Sequence, residues 1–184
     1  MSMLSNDSQA PLFLRPYGKM ASFLIEIHPK KAAFDPLAKQ VRSELLATGA
    51  SKSSAVVFTR RLYRIEGDLS AEQVETIAQT LLVDPVVETS HIENGKASLG
   101  PRKRSNKRKQ GGWMLDIWPK PGVTDPVGET VEKGLLDLGY HSLRARSGRR
   151  YIFPNINDRN TAQIVGHQFL ANELIHVIDI RKIN

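Results

Sequence analysis

The sequence predicts an α+β protein: two β-α-β-β-α-β units in tandem, each with a mainly antiparallel sheet, paired as a pseudo-dimer. Three observations carry this expectation. They are an internal repeat, apolar alternation at period two beside apolar stripes at helical spacing, and matching helix-start signals in the two halves. The segment IEIHPKKAAFDPLAKQVRSELLATG from Ile25 lies over LDIWPKPGVTDPVGETVEKGLLDLG from Leu115 with a shift of 90 and no gap. Nine of these 25 positions are identical, including Pro29/Pro119, Lys30/Lys120, Asp35/Asp125, Pro36/Pro126 and Gly49/Gly139, which is far above chance. After a two-residue deletion the match resumes at a shift of 88, pairing Arg61 with Arg149, Tyr63 with Tyr151, Leu82 with Leu170 and Ile92 with Ile180.

Each element follows from local signals. Phe23, Ile25 and Ile27, like Trp113, Leu115 and Ile117, alternate with their neighbours and predict a first strand with one buried face, ended by Pro29 or Pro119. Asp35-Pro36 and Asp125-Pro126 place a side-chain acceptor at the N-cap and a proline at the first helical position, where a missing N–H costs nothing. Leu37, Val41 and Leu45, and likewise Val127, Val131, Leu135 and Leu138, form the apolar stripe of that helix. Gly49 and Gly139 close it in the left-handed C′ position. Strand-like runs follow at 55–58 and 61–65 in the first copy and at 143–146 and 150–153 in the second, with a turn or bulge expected at Thr59-Arg60 and Ser147-Gly148. Ser70 with Gln73 forms a capping box, and Asp158 is the equivalent cap, before a second helix and a closing strand. The order is related to the ferredoxin-like plan.

The implied organisation is a tail at 1–20, a module at 21–94, a linker at 95–112 and a module at 113–184. Modules this small are marginal alone and are expected to pack against each other or against partners. The formal net charge of +7 is confined to the linker, where Lys96, Arg102, Lys103, Arg104, Lys107, Arg108 and Lys109 stand with no acid. The remaining 19 basic and 19 acidic residues cancel, as in a module that recognises proteins rather than a phosphate backbone. The linker reads first as a solvated, protease-sensitive tether and second as a dock for an acidic surface. Nucleic-acid binding is least favoured, because no aromatic residue is interleaved among its cations.

Several chemistries are excluded by what the chain contains. With no cysteine it has no thiolate nucleophile, no disulfide and no cysteine zinc site. There is no GxxxxGK[ST] or GxGxxG phosphate cradle, and Ser147 lies in RSGRR rather than in a nucleophile elbow. His28, His91, His141, His167 and His176 lack metal-ligand spacing. No catalytic residue and no metal ligand is therefore assigned. The first twenty residues lack a secretory core, and no stretch approaches the roughly 18 apolar residues of a membrane span, so a cytoplasmic protein is expected.

The candidate functional residues are for partner binding: Arg60, Arg61 and Tyr63 in copy one and Arg149, Arg150 and Tyr151 in copy two. Arginine and tyrosine combine large contact area with fixed donors and are enriched at interfaces. The competing reading is a solvated strand face. Trp113 and Trp118 differ by an odd number and so face opposite sides of one strand; Trp113 is assigned to the core and Trp118 to an exposed or interface position.

Copy two, KPGVTDPVGETVEKGLLDLGY followed by SGRRY, and copy one, LYRIEGDLSAEQVETIAQTLLVDPVVE, resemble PurS and the PurS-like N-terminal region of the larger synthase chains. The resemblance spans both copies and omits the tail and linker. It implies a non-catalytic subunit of phosphoribosylformylglycinamidine synthase, the enzyme of purine biosynthesis that converts formylglycinamide ribonucleotide, glutamine and ATP to the amidine. It further implies a synthetase subunit and a glutaminase subunit as partners, with possible self-association. The chain itself would hold no cofactor; ATP, ADP and magnesium would belong to the complex. One tandem chain would then replace a PurS dimer. The copies differ at Lys31-Ala32 against Pro121-Gly122, at Arg60 against Gly148, and at Ala78-Gln79 against Gly166-His167, which suggests that the two modules face different partners. A tandem ACT-type small-molecule sensor is the alternative, from the KPGVTDP loop, although copy one has Ala32 in place of its glycine. A nucleic-acid accessory protein acting through the linker is a third reading.

Overall fold

The computed structural model describes residues 21–49, 56–94, 97–98 and 112–183. The first half runs β1 (Ala21–Pro29), a 3-10 turn (Ala32–Phe34), α1 (Pro36–Ala47), β2 (Phe58–Gly67), α2 (Ala71–Ile77) and β3 (Glu88–Asn94), followed by the two-residue β4 (Ala97–Ser98). The second half repeats it: β5 (Gly112–Pro119), α3 (Pro126–Asp137), β6 (Arg144–Phe153), α4 (Arg159–Val165) and β7 (His176–Ile183). Both α2 and α4 continue into a wide π-helical turn, at Ala78–Leu82 and Gly166–Leu170. The basic segment 99–111 lies outside the described residues.

The α+β class, the antiparallel sheet and the paired copies are as the sequence predicts. One detail differs. The two middle strands expected in each copy are a single ten-residue strand, β2 or β6, with no turn at Thr59-Arg60 or Ser147-Gly148. The polar residues in these runs alternate between the faces of one continuous ladder, where register partners satisfy the backbone.

All the described strands join one sheet in the order β4-β3-β1-β2-β6-β5-β7. The copies meet where β2 pairs antiparallel with β6 from Phe58↔Ile152 to Glu66↔Arg144. Arg61 faces Arg149 in this register, so residues related by the shift of 88 are direct partners and the pseudo-twofold axis passes between them.

The first helix of each half does not stay with its own copy. Val131 and Leu135 of α3 are buried among Phe23, Ile25 and Ile27 of β1, Tyr63 and Ile65 of β2, and Val74 and Ile77 of α2. Conversely Ala38, Val41 and Leu45 of α1 are buried with Leu115 and Ile117 of β5, Tyr151 and Phe153 of β6, and Ala162 and Val165 of α4. Each first helix thus completes the core of the other copy. The fit is close: a Cβ on Gly134 would lie 2.7 Å from Leu81 Cδ1, so glycine lets α3 approach the end of α2.

The Asp-Pro signals direct this exchange. Asp35 Oδ1 accepts from the Ala38 N–H (2.9 Å) as an N-cap, and its carboxylate also accepts from the Thr59 N–H (2.9 Å) and hydroxyl (2.7 Å). Asp125 repeats this with Gly128 N–H (2.8 Å) and with the Ser147 N–H and hydroxyl (both 2.6 Å). One side chain therefore starts the helix and pins that start to the central strand two residues from the axis. Asp125→Ala is expected to cost about 2 kcal/mol, combining a lost cap with an N–H of β6 left unsatisfied. Thermal unfolding followed by circular dichroism checks this, and Asp35→Ala, at a more buried site, should cost at least as much.

Candidate partner-binding surface

The face of the sheet away from the helix-packed cores carries a chain of ion pairs that crosses the copies. Glu26 on β1 pairs with Arg60 on β2 and with Arg150 on β6. Arg150 also grips Asp116 on β5 in two parallel bonds, Nε to Oδ1 and Nη2 to Oδ2, both 2.6 Å. Asp116 in turn accepts from Arg181 on β7, which reaches Asp179 at 3.0 Å. Glu26, Asp116 and Arg150 are 1%, 3% and 2% exposed, so these charges are satisfied by one another rather than by water. Burial alone would push the Glu26 carboxyl up, but the guanidiniums of Arg150 and Arg60 outweigh it and hold Glu26 below the usual carboxylate value. For Arg150, burial works against the charge and the Asp116 bonds overcome it, leaving the guanidinium more firmly protonated than usual.

On the same face Trp118 is 2% exposed. This corrects the expected surface position. Trp118 lies over Gly148, where a Cβ would come within 2.6 Å of its ring, and Arg64 stands 5.7 Å from the ring centroid. The repeat explains the pairing of changes. Copy one has His28 and Arg60 where copy two has Trp118 and Gly148, so the large ring and the missing side chain arrive together. Trp113 faces the opposite core, as expected.

The remaining candidates divide by exposure. Tyr63 and Tyr151 are core residues at 4% and 5%, and Arg150 is interior, so these three join the copies instead of presenting a surface. Arg60 keeps about a third of its side chain exposed beside Glu26. Arg61, on the helix side, donates to Glu88 (2.5 Å), to the Leu82 carbonyl (3.1 Å) and to the Tyr63 hydroxyl (3.0 Å), with 42% of its side chain exposed. Arg149 is exposed. Of these candidates, Arg60, Arg61 and Arg149 are therefore the ones that keep exposed surface. The row was not read as split because adjacent arginines on a strand point to opposite faces, and only the tertiary pairing shows which face holds the acids.

Sequence reasoning also missed Glu26 and Asp116. A signal existed: both copies place an acid between apolar residues in the first strand, at the same aligned position. Among the described residues no group of three or more His, Cys, Asp or Glu side chains comes together to hold a metal ion. No helix among them is long and apolar enough to cross a membrane.

Comparison with protein-family models matches residues 22–95 and 114–184 to PurS, described as phosphoribosylformylglycinamidine (FGAM) synthase. The chain belongs to the PurS family. The two matched segments are the two halves of the sheet, so this is a tandem PurS duplication whose copies share one fold. No curated protein matches the sequence. PurS membership ties the chain to FGAM synthase and purine biosynthesis, as a subunit of that enzyme. The interior ion chain and the exchanged helices described above are thus features of two PurS modules held in one molecule.

Proposed function

We propose that this tandem PurS chain is the non-catalytic assembly subunit of FGAM synthase, bridging a synthetase subunit and a glutaminase subunit and supporting ammonia transfer between them in the cytoplasm. The observation that carries the reading is the β2–β6 junction, which turns two PurS modules into one continuous sheet within a single chain. A covalently joined pair has a fixed geometry and two non-identical ends, which suits a scaffold with two different partners. The pseudo-symmetry is broken at Glu88/His176, where an acid in the first module is replaced, so the ends differ in charge, and at Gln79/His167 they differ in side-chain chemistry. ATP and magnesium would act on the synthetase subunit, and this chain would supply position rather than chemistry.

The test is reconstitution with separate synthetase and glutaminase subunits, ADP and magnesium. Complex formation is followed by size-exclusion chromatography, and amidine synthesis is assayed with glutamine and with free ammonia. Dependence on this chain with glutamine, but not with ammonia, supports the scaffold. If no complex forms and both activities ignore the chain, the scaffold reading fails.

A further inference from the structure

The duplication supplies an internal control for each surface group, and one comparison exposes an incomplete ion pair. In the first module Arg61 is neutralised by Glu88 at the start of β3, with the Leu82 carbonyl and the Tyr63 hydroxyl completing its bonds. In the second module Arg149, Leu170 and Tyr151 occupy the equivalent positions, but His176 stands where Glu88 would be. The histidine preserves part of the acid's work. Its Nδ1 accepts from the Asn172 N–H at 3.2 Å, just as Glu88 Oε2 accepts from the Asp84 N–H at 3.0 Å. The ring therefore holds the turn, yet it brings no negative charge. Among the described residues Arg149 forms no ion pair, and it faces Arg61, another cation, across the central ladder.

We infer that the second module binds a carboxylate at Arg149 and His176, supplied by an acidic side chain of a partner protein that takes the place Glu88 fills in the first module. This inference rests on the scaffold reading and adds which module engages the partner and by what chemistry. The ligand class follows from the occupant the chain itself uses: Glu88 shows that a carboxylate fits beside the arginine, tyrosine and helix-end carbonyl of this motif. With Nδ1 accepting, the imidazole carries its proton on Nε2, so His176 adds a donor where the first module has an acceptor.

A protein is favoured over a free small acid because one exposed arginine–carboxylate pair is weak in water and gains strength only when neighbouring contacts exclude solvent. Such contacts are at hand. In the same turn Leu174 is 83% exposed and Ile175 is 41% exposed, and the turn is held by Leu174 N–H to Asn172 Oδ1 (2.9 Å) and by Lys120 Nζ to the Glu173 carbonyl (2.5 Å). An ordered apolar tip in the turn that leads into His176, with an unneutralised arginine in the same module, is the composition of an interface centre with a charged anchor. Glu173 does not serve as the missing acid, since its carboxylate meets His167 Nδ1 at 2.5 Å.

Two substitutions in the full-length chain test this, with affinity for the isolated synthetase and glutaminase subunits measured by titration calorimetry. His176→Glu rebuilds the first module's pair and plugs the site from within. It should leave thermal stability equal or higher and weaken binding to one of the two subunits about tenfold. Arg149→Glu should weaken the same subunit by at least as much, and steeper salt dependence in the wild type than in either variant supports the assignment. Should Arg149→Glu fail to fold, His176→Glu alone decides. Wild-type affinity in the folded variants overturns this inference and leaves the scaffold standing, whereas a wild-type chain that binds neither subunit overturns both. If the substitutions instead reduce binding of a single-stranded oligonucleotide and leave subunit affinity unchanged, the carboxylate assignment is wrong.

Discussion

Arg150→Met is expected to destabilise the protein by about 3–5 kcal/mol, because it removes one partner from a buried network and leaves two carboxylates behind. Asp116 would lose both bonds of its bidentate pair, and Glu26 would keep only Arg60. Against a typical total of about 5–15 kcal/mol this is a large fraction, and the melting temperature should fall by roughly 10 °C. Urea unfolding monitored by tryptophan fluorescence measures it, since Trp118 lies on the same strand as Asp116. Arg150→Lys should be intermediate, retaining charge but not the planar fork.

The same substitution has a pH signature. Glu26 is held below its ordinary value in the folded protein, so its contribution is present above the unfolded carboxylate value of 4.5 and is lost as pH falls through the lowered folded value. The wild type should therefore lose this increment only in acid. With Arg150 gone, burial is opposed mainly by Arg60, the Glu26 carboxyl rises, and acid unfolding should begin at a higher pH. An unchanged acid midpoint would argue that Glu26 does not report on this network.

The second large effect concerns the exchanged helices. Leu135→Ala, in the second repeat, removes a fully buried side chain from the core built on β1 and β2 of the first, at an expected cost of about 2–5 kcal/mol. The more decisive experiment separates the copies. Residues 1–94 and 112–184 produced apart should each be largely unfolded as monomers, because each then lacks the helix that closes its core and exposes the β2 or β6 edge, and any folding should require two copies of a piece to pair. Mixed together they should recover native circular dichroism, and the full chain cut within the linker should remain one species on a sizing column. Folding of either piece as a monomer on a sizing column would contradict the helix exchange.

How much of this was legible beforehand varied with the range of the interaction. The helix starts were readable because an N-cap and a proline act within one turn: Asp35-Pro36, Asp125-Pro126 and the Ser70 capping box stand where the sequence placed them. The closing glycines were readable for the same reason, with Gly49 at φ 70° and Gly139 at φ 86°. The arginine row was only half legible. Its residue types pointed to contact with a partner, and for Arg150 the contacts proved to be the protein's own Glu26 and Asp116.

The sequence by itself determined the duplication, the α+β class, the capped helices and the alternating strands, all of which rest on local chemistry repeated at a shift of 90 or 88. It could not determine which half-sheet each first helix covers. The apolar stripe of α3, Val131 and Leu135, suits either of two similar half-sheets, since a duplicated chain offers nearly the same apolar face twice. The tertiary structure makes that choice. Asp35 and Asp125 tie each helix start to Thr59 or Ser147 beside the pseudo-twofold axis, and from there the helix runs across it. Burial of Arg150 and Trp118 likewise depended on the β2–β6 and β5–β6 registers, because only the assembled sheet brings compensating carboxylates and the space above Gly148 to those side chains.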